Sequence, residues 1–513
     1  MRMQKSVKNI FISIISNVLN ILIGLIAQAI FLKTLGEEYL GLNGILSNTL
    51  SILAIAELGL SSAIIYKLYK PVAEKDYKQI IALIQFYKKT YYKIILTMII
   101  IIFAIAPFLP KIVGNLSEVK ENLFLIYSLF SLDIIISYLL AYKKSILYAD
   151  QNEYLTSIVH ICYLFIMNAL QIIFLLITRN YIIYLVIKII SRIFENVVIY
   201  FLVKKKYPFL NKKDTVKINA DVKDDITKSM RALFFHKLSG FIVNGTDTIL
   251  ISYFLGGAVI VGYYSNYALV ISAVTTVFNQ VFVSLTYSIG NLLTEDNTKK
   301  NYLYFKRIQF LNFWLFTFAA TCIFCMMESF INIWIGKEYI LPRTVLIVLV
   351  INFFMQGMRR TFMAFKEAAG IFYVDRYVPI LEAIVNIISS IILLKIFGLS
   401  GVFMGTIIST LVVYLISYPK YVYISLFKQK YFQYIIGAIK YIIAAFIVTT
   451  VTYFITSYIK TANPFFNLLL ITISSFTISN LLLFLLFIKN DEFRYYKNLL
   501  FSFLKKKKKN NVI

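Results

Sequence analysis

Apolar residues in this chain come in long runs, and polar residues collect in the short gaps between them. Mostly apolar segments recur near residues 10 to 32, 43 to 66, 91 to 113, 121 to 142, 154 to 177, 181 to 203, 232 to 255, 262 to 290, 308 to 331, 343 to 365, 378 to 397, 401 to 418, 431 to 459 and 465 to 488. A helix needs roughly 20 such residues to cross about 30 Å of hydrocarbon. The pattern therefore predicts an all-α polytopic membrane protein with 14 transmembrane helices. Two-residue alternation is absent over these lengths, which argues against a membrane β-barrel.

The gaps alternate between rich and poor in Lys and Arg. With the N-terminus inside, 40 of the 52 basic residues fall in the N-terminal arm, the inner loops with the span ends that border them, and the tail, and 8 fall in the outer loops with their bordering span ends. Both termini are thus predicted to be cytoplasmic. An odd number of spans would put the Lys505 to Lys509 run outside, against that rule. The first segment is longer than a secretory apolar region, and no small-residue cleavage site precedes Gly36-Glu37-Glu38, so it is expected to stay as the first span.

Composition sharpens the class: 59% hydrophobic and 15% charged residues, with a mean hydropathy of +0.76, exclude a water-soluble globular domain. The net charge of +27 reads as the inner share of this bias, facing anionic headgroups rather than nucleic acid. Residues 492 to 503 and 77 to 89 interleave aromatic or aliphatic residues with charge and are expected to lie along the inner surface. Cys322 and Cys325 have CxxC spacing but no second pair or nearby His, so they read as small apolar filler, and no metal site is predicted.

The loops restrict the chemistry. The longest outer loop, Asn332 to Pro342, is too short for an extracytoplasmic catalytic domain, which counts against a membrane polymerase or glycosyltransferase. The longest inner loop, 204 to 231, is basic and lacks a phosphate-cradling Gly-rich motif. His160 and His236 have no Ser or Cys partner at suggestive spacing and read as packed or interfacial residues. A transporter rather than an enzyme is expected. All eight prolines fall at predicted span ends or in loops, which suggests mostly continuous helices.

Two stretches repeat. Leu35-Gly36 with Gly41 matches Leu255-Gly256 with Gly262, each between two long apolar segments that start inside. The repeat is parallel and predicts two six-helix halves with a cavity between them and two appended helices. The expected divisions are an N-terminal bundle 1–203, a basic linker 204–231, a C-terminal bundle 232–430, helices 13 and 14 over 431–488, and a basic tail 489–513.

Five segments carry a family resemblance in register: Ala56 to Pro71 (AELGLSSAIIYKLYKP), Gly245 to Val270 followed by Ser288 to Leu293, Phe330 to Leu341 (FINIWIGKEYIL), Ala368 to Arg376 (AAGIFYVDR) and Leu381 to Ser409. Together they resemble the Wzx-type flippases for lipid-linked oligosaccharides, members of the MOP superfamily with the MATE exporters and lipid II flippases. The resemblance implies a V-shaped pair of bundles that moves a polyprenyl-diphosphate oligosaccharide by alternating access. It also implies a prenyl tail that stays in lipid along spans 13 and 14.

Ionisable side chains at bilayer depth cost at least about 2.5 to 3.5 kcal/mol and so mark candidate sites. Lys188, Arg192 and Glu195 follow i, i+4, i+7 spacing on one face of span six. An internal Arg192 to Glu195 pair is the alternative to a positive wall. Lys237, Lys440 and the Arg359-Arg360 pair complete the candidate diphosphate contacts, although Lys237 could snorkel and the arginines could be topology signal. Glu57, Asp133, Asp247, Asn279, Gln280 and Glu382, with Glu195, are the candidate cavity-lining or ion-coupling groups; Glu382 could instead bond within its helix to Asn386.

The expected function is a flippase moving undecaprenyl-diphosphate-linked repeat units outward across a bacterial plasma membrane for surface polysaccharide export. No cofactor is expected, with proton or sodium coupling left open. Partners would be the lipid-linked oligosaccharide, membrane lipids, and a polymerase and glycosyltransferases of the same pathway. A MATE-like drug exporter, a lipid II flippase and a membrane glycosyltransferase remain the alternatives.

Overall fold

A computed structural model describes residues 2–57, 60–114, 116–150, 152–211, 243, 245–293, 297–369, 371, 375 and 377–499, and every regular element among these described residues is helical. Nine helices among them are long and apolar enough to cross a membrane: Tyr77–Val113, Tyr154–Thr178, Ala258–Gln280, Thr298–Trp334, Arg343–Ala368, Tyr377–Phe397, Leu399–Ile424, Tyr431–Ser457 and Pro464–Phe487. Leu123–Leu139 and Ala141–Ala149, bent by 41°, make a tenth if taken together.

The other four predicted spans differ from this pattern. A 34-residue helix, Arg2–Leu35, covers the first. The second is broken, contrary to the continuous helices that the proline positions suggest. Glu37–Ser51 passes into a 3-10 turn over Ile52–Glu57, and Leu60–Glu74 follows. The sixth, Tyr181–Lys206, is long enough to cross but carries Lys188, Arg192 and Glu195 in its middle. Much of the seventh lies outside the described residues, which resume in helix at 245–255. A further departure is the π-helical run Val413–Ile424, which carries the chain through Pro419. A proline offers no N–H for the i→i−4 ladder, and the wider winding absorbs that loss.

Local chemistry sets the helix starts. Asn122, Asn180, Asn297 and Asn463 each accept backbone N–H bonds from the first turn that follows, and Asp76 does the same for Tyr77–Ile105. These side chains satisfy amides that have no partner within the helix.

The chain packs as two compact units. The first comprises Met1–Leu269 with Pro379–Val402, and the second Val270–Val378 with Phe403–Ile513. In the first, Arg2–Leu35 packs on Glu153–Thr178, which packs in turn on Tyr181–Lys206, and Leu123–Leu139 packs on Tyr181–Lys206 as well. The duplicated turns meet here. Gly36 and Gly256 share the left-handed backbone that glycine favours, with φ 94° and 101°. Beyond them the helices cross so closely that a Cβ at Gly41 would fall on the Ala258 carbonyl and one at Gly262 on the Glu37 carbonyl.

Beside this crossing, buried Glu38 accepts the backbone N–H groups of Ser117, Glu118 and Val119 and the Ser117 hydroxyl, pinning that loop to the helix. Burial acts to raise the Glu38 pKa, but those four donors outweigh it and hold the carboxyl below its ordinary 4.5.

In the second unit, Thr298–Trp334 is the central helix. Its Phe310 and Phe313 pack with Met358, Ala444, Val448, Leu483 and Phe487, so the last two spans are anchored to it by apolar side chains. At Gly357 there is no room for a Cβ beside the Phe316 ring, and Asn312 donates to the Gly357 and Met358 carbonyls across that contact. The start of the tail was expected to lie along the inner surface. Two of its helical residues, among 491–499, also contact protein: the Phe493 ring stacks on Trp314 at 5.7 Å, and the Tyr496 hydroxyl donates to the Arg307 carbonyl at 3.1 Å. Large apolar side chains such as Ile177, Phe432 and Phe446 stand exposed along the spans, as lipid-facing positions require.

Candidate functional site

The charged residues of Tyr181–Lys206 converge with those of three neighbouring helices. Asp133, on Leu123–Leu139, takes two cations at once: Lys188 Nζ lies 3.3 Å from Oδ2, and Arg192 Nε donates to Oδ1 at 3.2 Å. One turn further along, Arg192 Nη1 donates to Glu195 Oε2 at 2.8 Å. The other Glu195 oxygen accepts from Lys144 Nζ at 3.4 Å and lies 3.1 Å from His160 Nδ1. Aromatic faces line the same seam: Lys188 sits over the Phe130 ring at 4.9 Å and Arg192 over Tyr163 at 4.5 Å.

Charge and exposure are divided unequally in this network. The Glu195 and Asp133 side chains are only 1% and 7% exposed, whereas those of Arg192, Lys144 and Lys188 are 19%, 23% and 26% exposed. The carboxylates are sealed and the cations are partly open. Lys188, Arg192 and Lys144 against Asp133 and Glu195 leave one surplus positive charge before His160 contributes. Such an arrangement can receive an anion: it has a positive excess, a guanidinium built for bidentate contact with phosphate, and a carboxylate that an incoming anion could replace as partner.

Four of the expected residues meet here: Lys188, Arg192, Asp133 and Glu195. The i, i+3 pair between Arg192 and Glu195 forms, and Asp133 adds a second counter-charge. Lys144 and His160 were missed as members. Lys144 carries an inner-loop charge in sequence and His160 reads as a packed residue; both reach Glu195 only through the fold.

The remaining expected residues lie apart. Glu57, at the end of the 3-10 turn, accepts from the Tyr91 hydroxyl, and Tyr87 donates to Tyr91 at 3.2 Å. Asp247 is buried in the first unit, within electrostatic reach of Tyr264. Glu382 is buried on Tyr377–Phe397 one turn from fully buried Asn386. Lys237 lies outside the described residues.

In the second unit, Arg359 donates to the Tyr418 hydroxyl at 3.0 Å and to Gln356 at 3.2 Å. Arg360 is half-buried within electrostatic reach of Arg359 and Glu367. Lys366, Asp375 and Ser417 form a separate buried ion-pair cluster that joins the π-helical run to Arg343–Ala368. Asn279 and Gln280 are half-buried on Ala258–Leu293. Lys440 is exposed, over the Phe487 ring at 5.3 Å. Groups of three or more His, Cys, Asp or Glu that could hold a metal ion are absent among the described residues.

Comparison with known proteins places this geometry in context. Residues 6–287, more than half of the chain, match the family described as polysaccharide biosynthesis protein. The chain belongs to this family. No curated protein matches the sequence. Among solved structures, this family member is similar to a lipid II flippase, MurJ, in an inward closed conformation, with a TM-score of 0.68 and 16% identity over 94% of this chain and 99% of that one. It is also similar to the MATE transporter VcmN of Vibrio cholerae, with a TM-score of 0.57 and 15% identity over 83% of this chain and 99% of the other. A MOP superfamily transporter from Pyrococcus furiosus follows at a TM-score of 0.52 and 16% identity, over 80% of this chain and 93% of that one. The polysaccharide biosynthesis family member therefore has the MOP superfamily fold, as its sequence resemblance implied, and is a multi-pass membrane protein.

Proposed function

We propose that the protein is a flippase that carries an undecaprenyl-diphosphate-linked oligosaccharide from the inner to the outer leaflet of a bacterial plasma membrane, by alternating access. The observation that carries this reading is the network of three partly open cations on two buried carboxylates, in a chain whose family belongs to polysaccharide biosynthesis. Lys188 and Arg192 share Asp133. A diphosphate, with more charge and more acceptor oxygens than one carboxylate, displaces Asp133 from both and is released when Asp133 returns.

Exchange of one anionic partner for another keeps the cations compensated throughout the cycle, which lowers the penalty for holding them at bilayer depth. An inside-negative potential favours outward movement of the anion by about 2.3 kcal/mol per charge per 100 mV. Both termini lie in the cytoplasm, and a polymerase and glycosyltransferases of the same pathway are the functional partners. Protons or sodium ions could add to the drive through Glu57 or Asp247. The likeness to MurJ favours a second cargo of the same chemistry, lipid II; rescue of cells depleted of their lipid II flippase would select it.

The test is surface polysaccharide in cells that carry Lys188→Gln with Arg192→Gln, and in cells that also carry Asp133→Asn, which leaves no acid stranded. Polymer is expected to be lost in both, and the variant that also carries Asp133→Asn is expected at normal abundance in the membrane. Normal polymer in either one rejects the assignment of these cations to the diphosphate.

A further inference from the structure

A second group of cations, none of them a member of this network, lies on three helices of the first unit. Lys143, on Ala141–Ala149, sits over the Tyr200 ring at 3.7 Å. Lys204, one turn beyond Tyr200 on Tyr181–Lys206, approaches the same ring at 6.0 Å. Lys88, on Tyr77–Ile105, lies over Tyr92 at 5.6 Å. Lys143 is within electrostatic reach of both Lys88 and Lys204, and Tyr142 is within reach of Tyr92 and Tyr200, so the three lysines and three tyrosines form one cluster.

Among the described residues no carboxylate pairs with any of these lysines. In this respect the cluster is the reverse of the Asp133 and Glu195 network, where each cation has a counter-charge. Lys143 is half-buried between two exposed lysines, and the two like charges near it repel it more strongly than they would in water. The Tyr200 face offsets only part of that repulsion. All three lysines belong to loops or helix ends that the positive-inside pattern assigns to the cytoplasmic surface, the depth of lipid headgroups. The tyrosine rings that carry these ammonium groups bring amphipathic side chains suited to that depth.

We propose that Lys88, Lys143 and Lys204 form a binding site for the phosphate of a membrane lipid headgroup on the inner face of the first unit. The ligand is either an anionic phospholipid or a polyprenyl diphosphate. The inference does not depend on the flippase reading, because it needs only the inner surface of a membrane.

The test is native mass spectrometry of the full chain in detergent, titrated separately with phosphatidylglycerol, geranylgeranyl diphosphate and uncharged diacylglycerol. Wild type is expected to retain the first, the second or both, and not diacylglycerol. Lys88→Gln and Lys204→Gln, both at exposed positions, each weaken retention about fivefold, and Lys143→Gln more. The triple Lys→Arg variant keeps it. Selective loss of phosphatidylglycerol identifies a resident phospholipid, and selective loss of the diphosphate identifies a carrier-lipid site. Retention unchanged in the single Gln variants, or equal retention of diacylglycerol, overturns the proposal.

Discussion

Asp133 holds Lys188 and Arg192 with one carboxylate, and this sharing makes it the most sensitive residue of the network. Removing one member of a buried pair strands the charge that remains, which costs about 3 kcal/mol. Asp133→Asn is therefore expected to lower the thermal unfolding temperature in detergent. Adding Lys188→Met should recover part of the loss, because Arg192 still has Glu195. A double variant no better than the single would mean that Lys188 contributes nothing to the pair.

Glu38 offers a pH-dependent counterpart outside the spans. Its carboxyl is held below the ordinary value by donors of Ser117, Glu118 and Val119. Its stabilisation is present above the unfolded pKa and is lost as pH falls through the lower folded value. Wild type should lose stability on acidification below about pH 4.5 more steeply than Glu38→Gln, which cannot titrate; parallel melting curves would show that the clamp is not linked to protonation.

At the scale of elements, the crossing at Gly41 and Gly262 shows how an internal repeat becomes a contact. Each helix brings a residue without a side chain to the other's backbone, which allows the close approach that drives helix association in lipid. Gly41→Ala must push the Ala258 carbonyl away, at a cost of about 1 to 3 kcal/mol by overpacking. It should lower both thermal stability and surface polymer, whereas Gly24→Ala, where nothing stands within 4 Å of a new Cβ, should change neither. Equal behaviour of the two variants would remove the crossing from the account. The 3-10 turn at Ile52–Glu57 and the π-helical run over Val413–Ile424 are two departures from regular winding. Each delivers a polar group, Glu57 or Ser417, to a partner on a neighbouring helix, Tyr91 or Lys366.

For the whole molecule, the orientation argued from basic loops predicts that fluorescent protein fusions glow at both ends and that alkaline phosphatase fusions at either end stay inactive. Active phosphatase at one end would invert half of the topology. Much of the helical architecture can be read from the sequence, because span length and apolar content are sums over neighbouring residues, and hydrocarbon tests those sums directly. The i, i+4, i+7 pattern of Lys188, Arg192 and Glu195 is visible for the same reason: a helix's own period places them on one face. What tertiary structure alone decided is which charges meet. Lys144 and Glu195 are 51 residues apart and Arg192 and Asp133 are 59 apart, so no local period relates them. Only the packing of four helices brings those side chains within reach, and electrostatic pairing depends on distance in space rather than along the chain.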